Sequence, residues 1–195
     1  MIPINMPKIG EEEVQAVLEV IRKGPLTNAL GAGPKVLEFE KNYAKFFEVK
    51  HAIAVNSGTA ALQAALMAVG VKTGDEVIVP SFTFVATAEA VVMAGARPVF
   101  ADIDPKTYTI SPQDTEKAIS KKTKAILPVA LYGYSADMKP LREIADKSGL
   151  AIVEDDAQAH GTTYENKPAG SFSNVACWSL YASKNITTGE GGMIT

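Results

Sequence analysis

Runs such as Ala125-Ile126-Leu127-Pro128-Val129 and Ala151-Ile152-Val153 are apolar at every position, and they recur with helical stretches between them. A strand with one face in water alternates apolar and polar residues. A strand that does not alternate must be covered on both faces, as parallel strands are beneath crossover helices. From His51 onward this rhythm predicts strands near 52–55, 77–79, 98–101, 125–129, 151–154, 175–180 and 192–195. Helices are predicted over 60–69, 85–94, 112–120 and 138–148. The expected class is α/β, with a seven-stranded, mostly parallel sheet and helices on both faces. The last two strands are joined by loops rather than helices, which predicts a mixed sheet there.

Upstream, Val14, Val17, Leu18 and Ile21 recur at helical spacing behind the acidic turn Glu11-Glu12-Glu13, whose charges suit a helix N-terminus. A loop over 24–34 follows, and Pro34 is placed to open a second helix with Val36, Phe39, Tyr43 and Phe46 as its apolar stripe. The expected division is an N-terminal helix and arm over 1–34 and a larger domain over 35–195. The first helix has no obvious partner in one compact domain, so its apolar face is expected to meet a second subunit or a further domain. The closing residues 189–195 read as a strand whose packing is incomplete if it lies at an edge, and they predict a longer protein.

The 195 residues carry 19 basic and 22 acidic side chains, a net charge of −3, which does not suit a nucleic-acid backbone or an anionic membrane. No apolar run approaches the ~20 residues of a membrane span, and no basic segment leads into an apolar one as in a signal peptide. The single cysteine fits a reducing compartment, and a cytoplasmic location is expected.

In open α/β sheets ligands collect beyond the carboxyl ends of the strands. The first such end reads Asn56-Ser57-Gly58-Thr59-Ala60-Ala61-Leu62. Gly58 lets a ligand approach the backbone and Thr59 is placed to cap the helix; the turn is either an anion nest or ordinary helix-start chemistry. Neither G-x-G-x-x-G nor G-x-x-x-x-G-K-[ST] occurs. The second end, Pro80-Ser81-Phe82-Thr83-Phe84-Val85, sets two aromatic rings where the chain leaves the sheet, to stack on a flat ligand or to seal an edge. The fifth ends in Glu154-Asp155-Asp156, followed by Gln158 and His160. Three successive carboxylates need compensation by a cationic ligand, or else form a solvated acidic turn. His51 and His160 are not spaced as metal ligands, so no metal is predicted. After the sixth strand, Lys184 lies in a Ser/Thr/Gly-rich loop, either as an amine nucleophile or as the partner of Glu190. An anion nest, a flat apolar contact, a carboxylate and an amine together suit one ligand, pyridoxal 5'-phosphate: a planar, phosphorylated pyridine bearing an aldehyde.

On these residues the chain resembles the DegT/DnrJ/EryC1/StrS sugar aminotransferases, fold-type-I enzymes that use pyridoxal phosphate. The most specific stretches are 56–62, 80–87, 154–161 and Ser179-Leu180-Tyr181-Ala182-Ser183-Lys184-Asn185 through Gly192, and the likeness runs over essentially the whole chain. It implies that Lys184 joins the cofactor's aldehyde as a Schiff base and is the catalytic residue. It also implies that Asp155 faces the pyridine nitrogen, Gln158 donates near the phenolic oxygen, Phe84 lies against the ring, and Gly58, Thr59 and Ser179 meet the phosphate. Asp156 stands where many members have alanine and is expected to lie behind the site or face solvent. Family members that dehydrate sugars lack the lysine present here, so the implied reaction is amino transfer, from an amino acid such as glutamate to a nucleotide-linked keto sugar. A homodimer with its sites at the interface is implied too, as is a smaller C-terminal domain beyond these residues. The three arginines, Arg22, Arg97 and Arg142, lie outside the quoted motifs, so the clamp for a donor carboxylate is expected elsewhere. Another fold-type-I enzyme, a lyase or desulfurase, and a non-catalytic regulatory homologue are the alternatives.

Overall fold

A computed structural model describes residues 6–27 and 33–195; part of the predicted 24–34 loop lies outside these. Helix α1 spans Glu11–Lys23 and α2 spans Pro34–Phe46. The alternating part follows: β1 Ile53–Val55, α3 Gly58–Ala68, β2 Glu76–Pro80, α4 Ala86–Met93, β3 Arg97–Ala101 and α5 Pro112–Ala118. It continues with β4 Thr123–Ile126, α6 Met138–Ser148, β5 Ala151–Asp155, the hairpin β6 Thr163–Tyr164 and β7 Lys167–Pro168, then β8 Val175–Ser179 and β9 Gly192–Ile194.

The seven-stranded sheet has the order β1-β9-β8-β5-β4-β2-β3. β9 runs antiparallel to both of its neighbours, β1 and β8, and every other pairing is parallel. The sheet is mixed where loops replace helices, as expected. The edge position considered for 192–195 is ruled out: β9 is interior, with Ile194 opposite both Ile53 and Cys177. β1 is the edge beside it.

Alternation along each buried strand sorts the core into two faces. Val77, Val79, Ala125, Leu127, Val153 and Cys177 pack with α3 and α4, while Ile78, Ile126 and Ile152 pack with Met138, Leu141 and Ala145 of α6. Tyr43 and Phe47 meet Ala176, Trp178 and Met193 in a third cluster. Phe46, placed in the stripe by sequence, is exposed, and its neighbour Phe47 is buried instead. The helix ends at Phe46, so Phe47 is free to turn inward and lies against the Trp178 ring at 4.0 Å.

β4 is displaced toward its start relative to 125–129 because Pro128 has no N–H for the ladder; Val129 rejoins only as an isolated bridge to Asp155. The β6–β7 hairpin was not predicted. Its strands are two residues each, joined through Glu165 and Asn166, both at positive φ as a two-residue hairpin turn requires. α1 contains no buried residue, and Val14, Val17 and Ile21 are exposed.

Candidate active site

Five chain segments converge at the carboxyl ends of the parallel strands around a cavity of about 420 Å³. They supply Ser57, Gly58 and Thr59 after β1, Thr83 and Phe84 after β2, and Val129 and Leu131 after β4. Asp155, Ala157 and Gln158 come from β5 and its turn, and Ser179, Tyr181, Ser183, Lys184 and Glu190 from β8 and its loop. All seven residues predicted for the site, Gly58, Thr59, Phe84, Asp155, Gln158, Ser179 and Lys184, line this one cavity.

The turn opening α3 is capped by Ser57 rather than Thr59: Ser57 Oγ accepts the Ala60 N–H at 3.1 Å. The residue before the helix has the extended backbone a capping side chain needs, whereas Thr59 is already inside the first turn. Ala61 N–H goes to Ser57 O, so the Gly58 and Thr59 N–H groups are the donors left facing the cavity end of the helix. A side chain at Gly58 would put its Cβ 2.8 Å from Cβ of Ser179. Glycine is therefore required for the α3 turn to lie against the end of β8. Gly192 holds the turn from below, since a Cβ there would meet Ser57 O at 2.4 Å.

Asp155 is buried, and its carboxylate is held from two directions. Thr87 Oγ1 donates to Oδ2 at 2.8 Å and the Ala157 N–H to Oδ1 at 3.2 Å. Burial pushes its proton affinity up, while Thr87, Ala157 and the Lys184 charge pull it back. Thr87 itself shares a hydrogen bond of 2.9 Å with Thr83. Sequence reasoning gave Thr87 no role. Its only signal is the one-turn spacing between two threonines in the segment after β2.

Gln158 Oε1 accepts the backbone N–H of Tyr132 at 2.7 Å, so the NH₂ end of the amide is the one left for a ligand. Tyr132 adopts φ 53°, unusual for a bulky residue, and this contact helps to hold it there. Phe84 lines the cavity with its ring exposed, while Phe82 leans on Tyr108 with ring centroids 6.0 Å apart and stays outside. Lys184 is half-buried, and among the described residues it forms no ion pair with Glu190, which removes the structural alternative.

The acidic turn is not solvated: Glu154, Asp155 and Asp156 are all buried. Of the two positions expected for Asp156, behind the site or facing solvent, the second is corrected by its 0% exposure. His160 packs among Tyr43, Phe47 and Trp178, and burial lowers its pKa to about 4.

Unused amide donors at a helix start, a glycine that permits close approach, a half-buried amine and a buried carboxylate across one cavity fit a planar phosphorylated ring bearing an aldehyde. Pyridoxal phosphate has that chemistry.

Comparison with known proteins supports the same assignment. The sequence model of the DegT/DnrJ/EryC1/StrS aminotransferase family matches residues 7–195. The spore coat polysaccharide biosynthesis protein SpsC of Bacillus subtilis is 47% identical over 194 residues, which cover 100% of this chain and 49% of SpsC. GDP-perosamine synthase of Caulobacter vibrioides is 45% identical over 194 residues, covering 100% of this chain and 52% of the synthase. The crystal structure of NtdA from Bacillus subtilis with bound cofactor PMP superposes with a TM-score of 0.85 at 36% identity, over 96% of this chain and 42% of NtdA. The chain thus spans about half the length of the relatives it matches.

Proposed function

Because this chain belongs to the DegT/DnrJ/EryC1/StrS aminotransferase family, we propose that it carries the cofactor half of a pyridoxal-phosphate-dependent sugar aminotransferase. The whole protein then moves an amino group from an amino acid, glutamate being the simplest donor, to a nucleotide-linked keto sugar. The observation that carries this reading is the meeting of Lys184 and Asp155 in one cavity beside the α3 turn.

In this reading the arm covers 1–34 and the cofactor-binding domain 35–195. The Gly58 and Thr59 N–H groups and the Ser179 hydroxyl hold the phosphate, with the positive end of α3 behind it. Phe84 covers one face of the ring, and the free NH₂ of Gln158 donates to the phenolic oxygen. Asp155, oriented by Thr87, keeps a proton on the ring nitrogen. When bound, the cofactor supplies an aldehyde for amines and a ring that draws off the electron pair left when a C–H bond breaks. Lys184 would hold the cofactor through its aldehyde, and its amine, once freed by the donor's amine, would be the group that takes the proton from the substrate's α-carbon and gives it back. Leu131 and Val129 line the cavity wall and limit water there.

Arg97 is paired with Glu76, Arg142 with Asp146, and neither lines the cavity; Arg22 is in the last turn of α1. This supports a donor-carboxylate anchor supplied from outside these residues, and with it a homodimer whose subunits complete each other's sites. The exposed apolar face of α1 is the natural contact surface for that assembly. A cytoplasmic place in making amino-sugar-bearing polysaccharide or lipopolysaccharide follows from substrates of this class. No described helix is long and apolar enough to cross a membrane.

The test is reconstitution of the full-length protein with pyridoxal phosphate, borohydride reduction and peptide mapping, followed by glutamate and a panel of nucleotide-linked keto sugars. The label is expected on Lys184, with conversion of a keto sugar to an amino sugar. Label on another lysine, or elimination in place of amino transfer, overturns the reading.

A further inference from the structure

Asp156 is the buried carboxyl for which the proposed reaction has no use. Neither of its oxygens has a hydrogen-bond partner among the described residues. Its N–H donates to Cys177 O at 2.8 Å, so the alternation of β5 continues one residue beyond Asp155. Glu154 and Asp156 therefore project to one face of the sheet and Asp155 to the other. The packing agrees: Val153 and Cys177 lie on the α3–α4 face with Asp155, and Ile152 lies on the α6 face.

Tyr43 from α2 feels the charge of Asp156, while Cys177 of β8 lies with Asp155 on the other face of the sheet. His160 packs on Tyr43 from the turn after β5. Among the described residues no lysine, arginine or histidine forms an ion pair with Glu154 or Asp156. No group of three potential metal ligands is present among the described residues. Two buried carboxyls on one face without a cation do not both ionise at neutral pH. The Gly170 N–H and the Ser173 hydroxyl draw Glu154 toward its ionised form, although burial raises its pKa to about 7. Asp156 has no such donor, and the charges of Glu154 and Asp155 both oppose its ionisation.

We propose that Glu154 and Asp156 form a proton-holding carboxyl pair behind the active-site strand, with the proton resident on Asp156 at neutral pH. Asp155, the one member with two hydrogen-bond donors and a lysine nearby, is then left as the full negative charge offered to the cavity. Asp156 acts as a positioning residue through its charge state: losing its proton adds a second charge beside Asp155 and changes the proton affinity of Asp155. Only this last role toward a cofactor rests on the function proposed above. The location of the proton does not.

Carboxyl ¹³C NMR of aspartate-labelled, cofactor-loaded full-length protein tests the pair, with Asp155→Asn and Asp156→Asn giving the assignments. At pH 7 the Asp156 resonance is expected at the position of a protonated acid and Asp155 at that of a carboxylate. When wild-type Asp156 loses its proton at higher pH, the Asp155 resonance should move, and in Asp156→Asn that movement should be absent. An Asp156 carboxylate at pH 7, or an Asp155 response that survives in Asp156→Asn, overturns the proposal. Should Asp156→Asn fail to fold, Glu154→Gln serves: relieving the neighbouring charge should bring the Asp156 titration to lower pH, and an unmoved midpoint sinks the shared pair. None of these readings depends on turnover, so a failed transaminase assay with a protonated Asp156 would count against the proposed function alone.

Discussion

Thr87 Oγ1 donates to Oδ2 of Asp155 at 2.8 Å, joining α4 to the end of β5 across 68 residues of sequence. Both groups are buried, and together with the Ala157 N–H on Oδ1 the bond fixes the orientation of the carboxylate at the cavity. Thr87→Val should weaken cofactor retention by about 1.5–3 kcal/mol, the range for a hydrogen bond to a charged group. Thr87→Ser should restore most of it. Fluorescence titration with pyridoxal phosphate measures both, and equal affinity in the valine variant would show that Asp155 needs no such support.

Lys184 enters no ion pair among the described residues, so its removal should leave stability within about 0.5 kcal/mol of wild type. Lys184→Ala should abolish borohydride fixation and amino transfer while some non-covalent cofactor binding persists. Absorbance spectra and urea denaturation separate the two effects.

Gly58→Ala should cost stability on the order of 1–3 kcal/mol, because the new Cβ falls 2.8 Å from Cβ of Ser179. The same substitution pushes α3 away from β8, and phosphate-dependent cofactor affinity should fall with it. Calorimetry with and without inorganic phosphate reports both.

Two buried groups bend the pH–stability curve in opposite directions. His160 has a folded pKa of about 4 against 6.5 for the free side chain. The unfolded chain therefore takes up its proton first, and stability present above pH 6.5 is lost as pH falls toward about 4. Glu154 is raised from 4.5 to about 7, so stability present below 4.5 is lost as pH rises through about 7. Their opposing slopes overlap between pH 4.5 and 6.5, so in urea denaturation His160→Phe should make stability fall more steeply with rising pH there, and Glu154→Gln should make it rise more steeply. A variant curve parallel to wild type in its own window contradicts the assignment for that group.

Asp155→Asn should cut turnover by several orders of magnitude, since the ring loses its charged partner, whereas Asp156→Asn should be mild. Steady-state kinetics of the full-length protein decide between the two carboxyls. A severe loss in Asp156→Asn alone would reverse their roles.

The strand-and-helix alternation was readable because buried parallel strands carry an unmistakable composition, and α6 falls over 138–148 as the sequence predicts. That these residues gather around one cavity was readable for a related reason: each lies in a segment that follows a strand end, where backbone geometry confines ligand contacts to a few positions. Pairing order was not readable, because Gly192–Ile194 carries the same short apolar pattern whether it lies at an edge or between two strands. Thr87 was hidden because its role depends on a partner 68 residues away. Phe46 and Phe47 were interchanged because helix periodicity cannot locate the last helical residue to within one position.

The insertion of β9 between β1 and β8 governs the order in which this molecule can assemble. Ile53 waits for Ile194, the most distant pairing in the sheet, while β2 and β3 can zip together from neighbouring segments. Contacts of such long sequence separation form slowly, since a large loop must close before they repay its entropy. During synthesis β1 emerges early yet has no strand partner until residues 192–194 leave the ribosome. The Ser57–Gly58 turn, seated on Gly192, therefore becomes rigid only once β9 has paired. Ligand-binding competence should thus wait for β9 to pair, and a nascent chain stalled before β9 should hold its central strands without holding phosphate.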